Sequence, residues 1–234
     1  MSYVKFFATL LSIQMLSFEG KAQKNNIQGA VTYTYIMKNM GVKADYSLLF
    51  TEFGGLYNLY QEDKTFKTSE GYEFYLHKRH LQWYLNFKTR EVIHQERVGD
   101  KDVFAVYAAD PIDWEIQEET GTILGYKVQK AIAKKHHFLT AKSTFPYGDA
   151  VAWFAVDIPV PMGPERFWGL PGLILQIKFT NFVGEYTATH IHFQKVDIAI
   201  PNTGVKVTKE QILERNKIDK KWLKKASDLL NNDN

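Results

Sequence analysis

From Gly29 to Phe193 the chain repeats one pattern, short runs in which apolar or aromatic residues alternate with polar ones. In Gly29 to Met37, Val31, Tyr33 and Tyr35 fall on one side, with Thr32 and Thr34 on the other. Ala44 to Phe53 does the same with Tyr46, Leu48 and Phe50. A period of two is that of a pleated strand with one buried face. Gly54-Gly55 interrupts it, Leu56 to Tyr60 resumes, and further runs cover 72–76, 81–87, 91–97, 103–107 and 114–118. Spacings of about ten residues leave no room for parallel crossovers, so an antiparallel meander is expected. The 13 Tyr and 16 Phe suit such a sheet better than a helical bundle.

The middle of the chain continues the pattern. Glu119-Thr120-Gly121-Thr122 is expected to turn, and Tyr126 to Ala133 to run on as a strand. Ala150 to Val156 is almost wholly apolar and is expected in the centre of the sheet, covered on both faces. Leu173 to Thr180 and Glu185 to Phe193 form the last pair. The period then changes. Thr208-Lys209-Glu210-Gln211 is a capping-box pattern, which predicts a helix over about 208–230 with a lysine-rich solvent face. No repeat or linker divides the chain, so residues 23–234 are expected to be one domain.

The first 22 residues read as a signal peptide. Phe6 to Phe18 is an apolar run of the length of an h-region, and Gly20 and Ala22 are the small residues of a cut before Gln23. A spanning helix needs about twenty apolar residues, and Glu19-Gly20-Lys21 ends this run early. No transmembrane segment is expected after cleavage, and the mature protein is expected in the periplasm, at the outer membrane or outside the cell. Losing Lys5, Lys21 and Glu19 moves the formal charge only from +3 to +2, which gives no case for nucleic acid. With no cysteine, the domain must be held by its core alone.

The segment between the strands at 150–156 and 173–180 has its own chemistry. Three prolines in Ile158 to Pro164 forbid regular helix or central strand and predict a stiff, extended crossing. Gly169, Leu170, Pro171, Gly172, Leu173 and Ile174 then suit a type II turn, with Pro171 at its first central position and Gly172 supplying positive φ at the second. No ionisable group lies in that hexapeptide, which reads as a structural corner.

These blocks, with Thr144-Phe145-Pro146, Ala152-Trp153-Phe154, Asp157-Ile158-Pro159, Gly163-Pro164, Asp113 to Ile116 and Gly125 to Ala131, resemble the GLPGLI family of exported proteins. The resemblance is strongest from about 113 to 180. It implies a signal-bearing protein of Bacteroidetes-type Gram-negative bacteria without an assigned activity. Members often carry a Cys where Val128 stands here, so a thiol role does not extend to this chain.

His190 and His192 share a strand face and are the metal candidates, although zinc needs three or four ligands. His77, His80, His136 and His137 could join them only through tertiary folding. No catalytic residue is assigned: there is no Cys, no Gly-x-Ser-x-Gly and no His-Glu-x-x-His. Asp149, Asp157, Glu165 and Arg166 gather around the signature block as ordinary turn acids and pairing partners. Trp153, Phe154, Phe167 and Trp168 bracket it, either as core or as the lining of an aromatic ligand site.

The expected fold is mainly β, an antiparallel, strongly curved sheet or partly open barrel with a C-terminal helix. The alternative is a two-layer α+β arrangement. The expected function is non-enzymatic binding of an apolar small molecule, lipid or peptide, and no cofactor is implied. An envelope protein–protein interaction module and a metal-dependent hydrolase using His190 and His192 are the alternatives.

Overall fold

The computed structural model describes residues 27–37, 42–62, 64–67, 73–76, 79–98, 100–134, 149–180 and 182–214. The expected signal segment, His77, His136, His137 and the part of the expected helix beyond residue 214 lie outside them. The alternating runs all form strands: β1 (Gly29–Met37), β2 (Val42–Phe50), β3 (Gly54–Gln61), β4 (Lys64–Lys67), β5 (Glu73–Leu76), β6 (Arg79–Asn86), β7 (Glu91–Val98), β8 (Lys101–Ala108), β9 (Trp114–Ile123), β10 (Tyr126–Ala133), β11 (Ala150–Ala155), β12 (Leu173–Phe179), β13 (Phe182–Phe193) and β14 (Val205–Lys206). Strands β4 and β5 pair with each other. The other twelve make one open sheet, in the order β14-β8-β7-β6-β3-β2-β1-β13-β12-β11-β10-β9. All its pairings are antiparallel except the short β14–β8 contact.

This sheet cannot be flat. Strands β8 and β9 stand ten places apart in it, about 48 Å at the usual strand spacing. Yet they are consecutive in the chain, joined by residues 109–113, which stretch at most about 20 Å. The two ends must therefore roll toward each other around the inner face.

Cross-strand register identifies that face. Tyr33 lies opposite Tyr46, Leu48 opposite Tyr57, Tyr57 opposite Trp83, Trp83 opposite His94 and His94 opposite Ala105. In the other direction Tyr35 lies opposite Tyr186, Tyr186 opposite Ile177, Ile177 opposite Ala152 and Ala152 opposite Ala131. The core draws on both halves and on the segment between β11 and β12, through Ile158, Val160, Met162, Phe167 and Leu170. The signature segment thus packs inside the curl.

Within the expected C-terminal helix, residues Lys209–Glu214 form α1, with the expected capping box. The Gln211 N–H donates to Thr208 Oγ1 at 3.2 Å, and the Thr208 N–H to Gln211 Oε1 at 2.9 Å. Ile212 and Leu213 pack on Val103 and Ala105 of β8.

Two expected turns are corrected. Residues 119–122 do not turn, because β9 runs through them to Ile123. The reversal comes at Leu124 and Gly125, with φ of 52° and 82°. Positive φ at both central residues is the type I′ hairpin, whose twist matches that of its strands. Gly121 stays in the strand, with Trp153 lying over it.

The Pro171-Gly172 type II turn is also absent: the positive φ of the motif is at Gly169, 95°, and not at Gly172. Gly172 is required for another reason. A Cβ there would lie 2.1 Å from the Ala155 carbonyl oxygen, so the chain passes where no side chain fits.

Candidate functional site

The proline-rich crossing folds by local hydrogen bonds rather than as an open extended strand. The Val160 N–H donates to the Ile158 carbonyl at 2.7 Å and the Met162 N–H to the Val160 carbonyl at 2.8 Å. These i to i+2 contacts are γ-turns centred on Pro159 and Pro161, whose fixed φ suits the inverse form. The chain then doubles back. Met162 bridges Trp168, the Gly163 N–H donates to the Phe167 carbonyl at 2.8 Å, and the Gly169 N–H to the Pro161 carbonyl at 3.0 Å.

At the tip the Phe167 N–H donates to the Pro164 carbonyl at 3.2 Å, closing a β-turn with Glu165 and Arg166 at its centre. Only Glu165 of these has positive φ, 55°. That is the type II′ pattern, whose first central position favours glycine. A glutamate there holds the backbone under strain of order 1 kcal/mol.

The tip bonds one polar group of the inner face and stands within electrostatic range of another. On one side the Tyr186 hydroxyl donates to Glu165 Oε1 at 2.5 Å. The Tyr186 ring stands 4.6 Å from Tyr35 and 6.0 Å from Tyr46, which stands 6.0 Å from Tyr57. Burial first, and the Glu165 carboxylate next, push the Tyr186 hydroxyl well above the ordinary tyrosine range.

On the other side His94 is fully buried, with Nε2 2.8 Å from Glu96 Oε1 and Nδ1 3.2 Å from the Tyr107 hydroxyl. Burial raises Tyr107 and the Arg166 charge opposes it. Trp83 Nε1 faces the same hydroxyl too loosely to count as a hydrogen bond.

Carboxylate, imidazole and hydroxyl in sequence are the parts of an activated nucleophile. Here the imidazole is sealed off, and the Tyr107 proton is held more tightly than in water, the reverse of activation. The chain of bonds satisfies buried polar groups that would otherwise each cost about 1–3 kcal/mol.

The base of the hairpin fastens the roll. The Trp168 ring N–H donates to the Asp110 carbonyl at 3.0 Å, and the Trp114 ring N–H to the Trp168 carbonyl at 2.9 Å. Lys209 of α1 reaches Asp110 Oδ1 at 2.6 Å. Both contacts to Asp110 hold the 109–113 linker that joins the ends of the sheet.

The residues singled out in the sequence divide accordingly. Phe154 and Phe167 are buried to 0% and 1% exposure. Trp153 and Trp168 are half-buried, and only Trp168 lies at the hairpin. Of the motif, Leu170, Gly172, Leu173 and Ile174 are buried, while Gly169 and Pro171 are exposed. Asp149 pairs with Lys134 at 3.1 Å and Glu165 bonds Tyr186, so each has its own partner.

His190 and His192 do share an exposed face, their rings stacked 6.2 Å apart. Among the described residues no group of three or more His, Cys, Asp and Glu could hold a metal. His94 and Glu96 were not singled out by the sequence, although their two-residue spacing in phase with Val92 marks them as inward polar groups. Among the described residues no helix is long and apolar enough to cross a membrane.

A family model described as a protein of unknown function (Porph_ging) matches residues 141–176, a short part of the chain that includes the hairpin. No curated protein matches. Among solved structures the chain is similar to PNGF-II in space group P21, with a TM-score of 0.57 and 16% identity, over 80% of this chain and 32% of that one. It is likewise similar to PNGF-II in space group C2, with a TM-score of 0.54 and 17% identity, over 81% of this chain and 32% of that one. The chain thus spans about a third of the length of the structures it matches, and at this identity the likeness is one of fold alone.

Proposed function

We propose that this chain is an exported, non-enzymatic binding protein of the GLPGLI kind, holding a small molecule, lipid or peptide of apolar body on the inner face at the hairpin tip. The observation that supports this reading is the tip itself. A strained turn holds Glu165 against Tyr186 and leaves the Arg166 charge within electrostatic range of the Tyr107 hydroxyl. With Phe154 and Phe167 committed to the core, the ligand-facing surface falls to the half-buried Tyr35, Tyr107, Arg166 and Trp168. Sites of this kind are mainly apolar and aromatic, with a few placed polar groups.

The test is mass spectrometry of protein purified from its native envelope. One ligand species near one per chain is expected, on a chain beginning at Gln23. A ligand-free protein whose tryptophan fluorescence is unmoved by apolar probes would overturn the binding assignment. A purified chain that still begins at Met1 would overturn export.

A further inference from the structure

Arg166 is half-buried and forms no hydrogen bond or ion pair among the described residues. Its guanidinium offers five donors in a rigid fork, and partial removal from water strengthens whatever they bind. The adjacent acid forms no ion pair with it among the described residues; Glu165 turns the other way, its Oε1 accepting from the Tyr186 hydroxyl at 2.5 Å. Nearby, Lys209 is held by Asp110 at 2.6 Å and His94 by Glu96 at 2.8 Å. Of these three cations, Arg166 is therefore the one left to a ligand among the described residues. The positive φ at Glu165 is a second, independent sign. Glycine would make this turn without strain, and strain at a loop tip clusters where a group must be aimed.

We infer that the hairpin tip seats the oxyanion, a carboxylate or a phosphate ester, of an amphiphilic small molecule on Arg166, with the half-buried Tyr35, Tyr107 and Trp168 taking its apolar body. This inference rests on the binding-protein reading above and narrows its ligand class.

The test is a calorimetric comparison of octanoate, octyl phosphate and 1-octanol, which share one apolar body. At least one of the two anions is expected to bind about tenfold or more tightly than the alcohol, and the tighter of the two identifies the headgroup. In Arg166→Gln that preference should vanish, the anions binding no more tightly than octanol. Arg166→Lys, which keeps the charge and loses the fork, should retain part of it. In wild type the preference should shrink with added salt, a readout independent of how the variants fold. Equal binding of all three ligands, unmoved by Arg166→Gln, would overturn the oxyanion and leave the binding protein standing. No binding of any of the three would overturn both.

Discussion

Within one loop, the corner at Gly169 to Ile174 and the tip at Pro164 to Phe167 are built by opposite means. In the corner the backbone is closed in by the fold. The Leu173 N–H bonds the Ile158 carbonyl at 2.9 Å, the Ile174 N–H bonds the Met162 carbonyl at 3.0 Å, and the Tyr33 hydroxyl bonds the Ile174 carbonyl at 2.7 Å. At the tip the turn bends against its residue's preference, and a guanidinium stands without a partner among the described residues. The motif that marks the sequence is thus scaffold, and the two charged residues just before it are what the scaffold presents.

The sharpest break of that comparison is at Gly172. Gly172→Ala puts a methyl group 2.1 Å from a backbone oxygen at a buried position, and a backbone clash cannot relax as a side chain can. The expected loss is about 3 kcal/mol or more, read by urea denaturation. Gly169→Ala is its control: φ there is 95°, but the nearest atoms, of Trp114, are 4.0 Å away. Only the conformational penalty of about 1 kcal/mol applies. Equal losses at the two glycines would mean that Gly172 is not the tight point.

The next effect is expected across from the tip. Glu96→Ala removes the acceptor from His94 Nε2 in a buried setting, at a cost of about 2–3 kcal/mol. Replacing His94 and Glu96 together by apolar residues should recover part of this, because neither member of the pair is then stranded and the Tyr107 hydroxyl that His94 releases is only half-buried. A double variant as unstable as the sum of the single ones would show that the two side chains act independently.

Tyr33 tests the corner by pH. Burial raises its hydroxyl far above the ordinary tyrosine range. A folded-state pKa above the unfolded one gives stability that is complete below about pH 10 and is lost as pH rises further, by up to about 1.4 kcal/mol per pH unit. Tyr33→Phe lacks this hydroxyl and its bond to the Ile174 carbonyl, so it should be about 1 kcal/mol less stable at neutral pH. Its stability should fall less steeply above pH 10, and the two curves should converge. Parallel alkaline limbs would show that the hydroxyl is not sealed.

Much of this architecture was legible because strands announce themselves locally. Alternation at Val31, Tyr33 and Tyr35, and the Thr208 to Gln211 capping box, need nothing beyond neighbouring residues. What was not legible depends on contacts remote in the chain. The need for glycine at 172 comes from Ala155, and the place of Gly121 comes from Trp153. Neither contact leaves a trace in the turn's own composition, so both glycines look like ordinary turn formers. The site was half legible. Glu165 and Arg166 stand out in the sequence, but the strained turn between them, with one bonded to Tyr186 and the other within electrostatic range of Tyr107, follows only from the roll of the sheet.

The smallest expected effect carries the comparison furthest. Asparagine tolerates positive φ better than glutamate, so Glu165→Asn should relieve part of the turn's strain, about 0.5–1 kcal/mol. Its shorter side chain gives up the Tyr186 hydroxyl, a loss of about 1–2 kcal/mol. The two terms oppose, and the net change in thermal or urea unfolding should stay within about 1 kcal/mol, against the much larger loss at Gly172. If the tip is functional, the same variant should alter binding at Arg166 more than it alters stability, because the strain and the Tyr186 bond together fix where the turn points. A loss above about 2 kcal/mol would make the tip as structural as the corner, and the division between them would fail.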